Sequence, residues 1–316
     1  MLYLVVTDLS ADGKDVVFGE AVGFRFSSIT HDILGDPFWA VYRRGLEDAA
    51  LRFGCQVHHR APLQFSPARM ADLIERAREE EPDGIIVTIP DAAAVEAPLR
   101  AAVAEGIPVI AVNAADPRQT SERIPYRFYI GADDGVGGRT AAERLLASGP
   151  ALRGLTIDHY LIDNACHTAR CDGFLRELAS RDVPGERLRV PGDDHRASVE
   201  LIREHLDRHA DVDVICTLGP PGCRAVLDAV AQIGAQDRIR HGSFDLALDQ
   251  LRAIKGGRLA FTIDSQQYLQ GYLGIGFLHL LVTHGLTAAA DIMTGPAIVD
   301  ETNVDAALTG VRAGVR

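Results

Sequence analysis

With 316 residues, 47% of them hydrophobic, and a formal net charge of −12, the chain exceeds what one core usually holds and suggests two lobes of roughly 150 residues each. The acidic balance and the lack of a basic stripe argue against a nucleic-acid-binding surface. The five cysteines form neither a CxxC pair nor a zinc pattern with histidines at the usual spacing, and no segment is long and apolar enough to span a membrane.

Residues 1 to 23 read as an N-terminal extension in which LYLVVTDL and DVVFGEAV form a possible hairpin about Asp12-Gly13. Its start, MLYLVVTDLSADGK, lacks the basic flank and the apolar length of a signal peptide. From Phe24 onward short apolar runs alternate with helical patterns, which predicts parallel β/α architecture. Strands are expected at FRFSSIT, CQVHHR, GIIVTI, PVIAVN, RFYIGA, LTIDHYLID, DVDVICTLG, RIRHGSFD and LAFTID. The helix after Pro37 puts Val41, Leu46, Ala49, Ala50 and Phe53 on one side, and the next is capped by Ser66, opened by Pro67 and stopped by Pro82. Another starts at Asp134 and runs through Leu146, and SQQYLQGYLGIGFLHLLVTHG forms a late one. MTGPAIVDETNV then reads as a return crossing. The pattern divides into two similar halves, a first lobe of residues 24–132 plus 266–293 and a second of 133–265 plus 294–316.

The chemistry-bearing residues gather after strand ends, where open α/β sheets bind ligands. Asp32 and Asp36 can accept hydroxyl hydrogen bonds, while Phe38 and Trp39 offer flat apolar faces to the C–H side of a sugar ring. An acidic N-cap followed by two core aromatics is the alternative. Further strand-end loops carry Asn113, Asp133 with Asp134, Arg170 within DNACHTARCDGF, and Phe244 with Asp245. Arg170 supplies a fixed fork of donors, Asp36 and Asp245 accept, and Asn113 and Gln266 do both, so a polyol could be satisfied on all its edges. Competing readings stand beside these: Asp133 and Asp134 as helix caps, Phe244 as core, Arg170 as a structural ion pair, His31 bonded to a hydroxyl or only to loop backbone. Gly137-Gly138 and Gly256-Gly257 form no nucleotide fingerprint and are better read as close packing and a turn. No cofactor and no metal site is expected. Cys166 and Cys171 could bridge, although buried small hydrophobes are the preferred reading.

The ordered series of loops, closed by IDSQQYLQGY, resembles the sugar-binding receptors of bacterial ABC importers, the periplasmic binding proteins of the ribose-binding type, over about Phe24 to Asp305. The resemblance implies a type I periplasmic binding protein fold, with two Rossmann-like lobes of parallel sheet joined by three crossings and closing over a monosaccharide or polyol in the cleft between them. By position it places Asp32, Asp36, Phe38 and Trp39 in the first-lobe ligand loop, adds Thr88 at the next strand end, and makes Asn113, Asp133, Arg170, Asp245 and Gln266 ligand-binding residues. Thr168 offers a neighbouring register for Arg170. Thr217-Leu218-Gly219-Pro220, Ala114 and Asp194 depart from the ribose pattern, so the sugar is expected to be another pentose, a hexose or a polyol. The implied protein is a monomeric, non-enzymatic receptor outside the cytoplasmic membrane that delivers its sugar to a membrane permease. The ligand-sensing domain of a LacI-type regulator or of a chemotaxis or sensor system is the alternative; against the regulator, no helix-turn-helix precedes Phe24.

Overall fold

The computed structural model describes residues 6–10, 13–19, 23–32, 37–159 and 164–316. They form two units. The first extends to Gly131 and takes back Gln266–Thr294, and the second comprises Ala132–Ser265 with Gly295–Gly314.

In the first unit the chain runs β1 (Val6–Ser10), β2 (Gly13–Phe18), β3 (Arg25–Ile29), α1 (Pro37–Phe53), β4 (Gln56–Ala61), α2 (Pro67–Glu79), β5 (Gly84–Val87), α3 (Ala92–Ala104), β6 (Val109–Val112) and β7 (Tyr129–Ala132). The second carries α4 (Asp134–Ala147), β8 (Arg153–Asp158), α5 (Ala165–Ser180), β9 (Gly185–Arg189), α6 (His195–Arg208), β10 (Val212–Thr217), α7 (Pro220–Gln232), β11 (Arg240–Phe244), α8 (Leu248–Lys255) and β12 (Phe261–Asp264). Then α9 (Gln267–His284) and β13 (Ile292–Gly295) return to the first sheet's side of the chain, and β14 (Ala297–Asp300) and α10 (Val304–Arg312) complete the second.

The first sheet orders its strands β1-β2-β4-β3-β5-β6-β7-β13 and the second β14-β12-β11-β10-β8-β9. Leaving out the added edge strands, both cores read 2-1-3-4-5 in their own chain order, the doubly wound arrangement whose crevice opens beyond the carboxyl ends of the strands where the order reverses. Those points lie between β3 and β5 in the first sheet and between β8 and β10 in the second. β5 and β6 are buried at every residue, as expected for parallel strands covered by helices on both faces.

Local signals explain the helices that flank them. The Ser66 hydroxyl accepts from Arg69 N at 3.5 Å to open α2, which then buries Met70, Leu73, Ile74 and Ala77 at helical spacing. Close helix crossings use glycine. A β-carbon on Gly45 would overlap the Tyr268 carbonyl, and one on Gly271 would press on Tyr42 O, so α1 and α9 meet backbone to backbone. In the second unit Gly138 and Gly173 do the same for α4 and α5, facing the carbonyls of Arg170 and Gly135.

Several expectations change. The segment read as an N-terminal extension supplies β1 and β2, and β2 pairs antiparallel with β4 (Lys14↔Ala61 to Phe18↔Val57), bringing Val16 and Phe18 into the first core. The buried face of α1 is Trp39, Tyr42, Leu46, Ala49 and Ala50, while Val41 is only half-buried. β9 was not expected, because GERLR is a half-buried edge strand with no apolar run. The late crossing contains two short strands, one in each sheet. All five cysteines are free thiols; Cys166 and Cys171 both stand on α5, and Cys171 donates to Thr156 Oγ1 at 3.3 Å.

Candidate functional site

In the first unit the polar groups after β3 and β5 bind one another. His31 N donates to Thr88 Oγ1 at 3.0 Å, and His31 Nδ1 is hydrogen-bonded to the same oxygen at 2.9 Å. Burial pushes the His31 pKa down to about 4, so the ring is neutral at pH 7. Asp32 is buried and ion-paired with Arg43. Asp36 lies outside the described residues.

The aromatics divide differently from expectation. Trp39 is 4% exposed and meets His31, Phe38 and Tyr42 edge-on at centroid distances of 4.9, 5.1 and 5.5 Å. It packs in the first core, where its place three residues before Tyr42 and seven before Leu46 aligns it with the buried stripe of α1, the core-aromatic alternative to a ring-stacking face. Phe38 is partly buried against the same core. The ring left open is Phe65, 44% exposed and 6.2 Å from His31, a residue that sequence reasoning passed over in the loop after β4.

Asn113 follows β6 with φ of 62°, a left-handed conformation that asparagine tolerates better than most side chains. Its carbonyl accepts from Tyr129 OH at 2.6 Å, and its amide side chain has no hydrogen bond to any described residue. Gln266, φ 50° and at the start of α9, donates through Nε2 to Thr294 O at 2.5 Å. That bond ties the returning segment to α9, so this donor is already engaged inside the first unit.

In the second unit Asp133 caps α4, its Oδ1 accepting from Val136 N at 2.9 Å; the cap, among the readings weighed for it, is the contact seen. Asp134 Oδ1 accepts from Arg170 Nε at 2.7 Å. Arg170 NH1 donates to Leu218 O at 3.0 Å and to Asp245 Oδ2 at 3.1 Å, and the guanidinium lies 4.4 Å over the Phe244 ring. Burial opposes the Arg170 charge, but Asp245 and Asp134 outweigh it and raise its pKa. No described residue accepts from its NH2. Asp245 has φ of 59°, its carbonyl accepts from Thr262 Oγ1 at 2.6 Å, and its Oδ1 is buried with no hydrogen bond among the described residues. Chemically this is a fixed donor beside a fixed acceptor, the pair that two adjacent hydroxyls would satisfy.

Beside them, after β8, the structure adds a cluster not expected from the sequence. His167 Nδ1 is bonded to Asp158 Oδ1 at 2.7 Å, and His159 packs on His167 at 4.7 Å. Burial, with the His167 charge next, drives the His159 pKa down to about 3. The departures noted in the sequence are structural: Asp194 caps α6 by accepting from Ala197 N at 2.9 Å, and Thr217 Oγ1 is bonded to His241 Nε2 at 3.0 Å.

Residues 29–285 match the family model of the periplasmic binding protein domain, and a carbohydrate transporter from Acidothermus cellulolyticus, solved in complex with myo-inositol, superposes with a TM-score of 0.80 at 30% identity, covering 93% of this chain and 99% of that one. The chain belongs to the periplasmic binding protein family. As a periplasmic binding protein it is also similar to the xylose/arabinose-binding protein of Sulfolobus acidocaldarius, 25% identical over 291 residues, 88% of this chain and 71% of the relative. A solute-binding protein from Burkholderia graminis in complex with D-arabinose shares the fold, with a TM-score of 0.76 at 20% identity over 90% of this chain and 98% of that one. Both sheets of this periplasmic binding protein therefore have the type I arrangement of that family.

Proposed function

We propose that this protein captures one neutral monosaccharide or cyclic polyol outside the cytoplasmic membrane, presents it to the permease of an ABC importer, and turns nothing over. The observation that carries the sugar reading is Asp245 Oδ1, buried without a hydrogen bond among the described residues beside the Arg170 guanidinium. A buried carboxylate oxygen without a donor is costly, and a hydroxyl donating to it while a neighbouring hydroxyl accepts from Arg170 removes the cost for both. A neutral ligand fits because Arg170 is already balanced by Asp134 and Asp245. In the first lobe Asn113 supplies an amide and Phe65 an open ring, the polar and apolar groups that a sugar's two faces call for. The family relatives bound to myo-inositol and named for xylose and arabinose make cyclitols and pentoses the first ligands to try.

A thermal-shift screen of pentoses, hexoses, inositols and linear polyols tests the reading. A ligand at 100 times its dissociation constant adds about 2.7 kcal/mol of stability, a clear rise in Tm. Calorimetry should then give one equivalent per chain, gel filtration a monomer, and chromatography of the incubated ligand an unaltered sugar. No shift with any sugar or polyol, or a converted product, overturns it.

A further inference from the structure

At the far edge of the second sheet lies a group of side chains that sugar binding does not use. Glu186 stands in the edge strand β9, and His205 and His209 close α6 one turn apart, at i and i+4, where two side chains share a helix face. One ligand atom from each of the three lies within 4.8 Å of the others. The two imidazoles stack with centroids 4.6 Å apart, and His205 Nε2 lies 3.4 Å from Glu186 Oε1.

Two of these atoms are buried without a hydrogen bond among the described residues: His205 Nε2, on a side chain only 8% exposed, and Glu186 Oε1. The two atoms meet each other only as a long ion pair, a contact that a cation seated between them would replace with two short bonds. Arg153 NH1 also faces that oxygen, as an ion pair at 3.7 Å, longer than the 2.9 Å bond that its Nε makes to Asp211.

We propose that Glu186, His205 and His209 form a binding site for one divalent transition cation of borderline softness, Zn2+ in the simplest case, that clips the edge strand β9 to the last turn of α6. Two imidazoles and a carboxylate are the donor set such ions prefer over Ca2+ or Mg2+. Ligand atoms about 2.0–2.2 Å from a tetrahedral ion stand roughly 3.3 Å apart, so the His205–Glu186 pair is already at that spacing and His209 needs a small side-chain rotation. The site is remote from the sugar groups by topology: β9 carries Glu186 near its start and α6 ends just before β10 begins, whereas Arg170 and Asp245 serve the carboxyl ends of the strands.

The test uses the full untagged chain stripped with a chelator and titrated with ZnCl2. One equivalent should bind with a dissociation constant on the order of micromolar, raising Tm as a native-state ligand must. His209→Ala, a half-buried position at the helix end, and Glu186→Gln should each weaken Zn2+ binding at least about tenfold, with far-UV dichroism and sugar binding unchanged. Absence of saturable binding up to about 1 mM Zn2+, a concentration well above any folding-linked site, overturns the proposal, as does equal affinity in His209→Ala, which would place the ion elsewhere.

Discussion

Asp245 holds its carboxylate 3.1 Å from the Arg170 guanidinium across 75 residues of sequence. The pair is fixed from both sides, by the left-handed backbone of Asp245 and by Asp134 and the Leu218 carbonyl on Arg170. Little reordering would remain when a ligand arrives, and such preorganisation favours affinity.

Asp245→Asn keeps the shape of the side chain and removes the charge that accepts a hydroxyl. Calorimetry against the best ligand should show a loss of about 1–3 kcal/mol, roughly five- to 150-fold in affinity. Arg170→Met should lose at least as much, because it also leaves Asp134 and Asp245 without their cation. Unchanged affinity in both variants would remove these residues from the site.

Asn113 separates a backbone demand from a ligand contact. At φ of 62°, Asn113→Ala should cost about 1 kcal/mol of stability, whereas Asn113→Gly should not. Both should weaken sugar binding, since neither has the amide. If Asn113→Gly binds as tightly as the parent chain, the side chain is only a turn residue.

The two aromatics should respond in opposite ways. Trp39→Ala empties a packed site and should cost about 3–5 kcal/mol in denaturant unfolding. Phe65→Ala, at an exposed position, should change stability by no more than about 0.5 kcal/mol while lowering sugar affinity. Equal stability effects would contradict the division of roles described for the two rings.

What the sequence disclosed follows from how each feature is encoded. Parallel β/α alternation is local, so strands such as β5 and β6 were legible from apolar runs, and caps such as Ser66 and Asp133 from a single residue. GERLR was not legible, because an edge strand half in solvent needs no apolar run. Trp39 stayed open between a stacking face and the core because an aromatic in the first helical turn can face either, although its phase with Tyr42 and Leu46 pointed to the buried side. The strand-end loops and a family pattern singled out Arg170 and Asp245, and the structure brings the two side chains to 3.1 Å of each other. Glu186, His205 and His209 were not, since a search keyed on cysteine spacing misses ligands split between a strand and a helix end.

Acid should weaken the fold through its buried histidines. His241 is 3% exposed, and burial pushes its pKa from 6.5 down to about 3; His159 moves the same way, to about 3. Between those values the unfolded chain binds a proton that the folded chain refuses, so stability rises with pH. Lowering pH from 6.5 toward 3 should cost about 1.4 kcal/mol per pH unit for each such histidine. Urea midpoints at pH 7, 5.5 and 4.5 should fall in that order, and His241→Asn should flatten the decline. A midpoint independent of pH over this range would contradict the burial assigned to His241.

The glycine crossing of α1 with α9 bears on the order in which the protein is made. Ile275 and Leu278 of α9 belong to the same core as Phe26, Tyr42 and Leu46, yet they leave the ribosome only after the whole stretch from α4 to β12 has been synthesised. Domains fold largely as they emerge, so the second lobe has nearly all its chain while the first still exposes the flank of α1. The lobe that is begun first is the one finished last, and a nascent chain halted before Gln266 would display an apolar stripe on α1 to whatever chaperone is near.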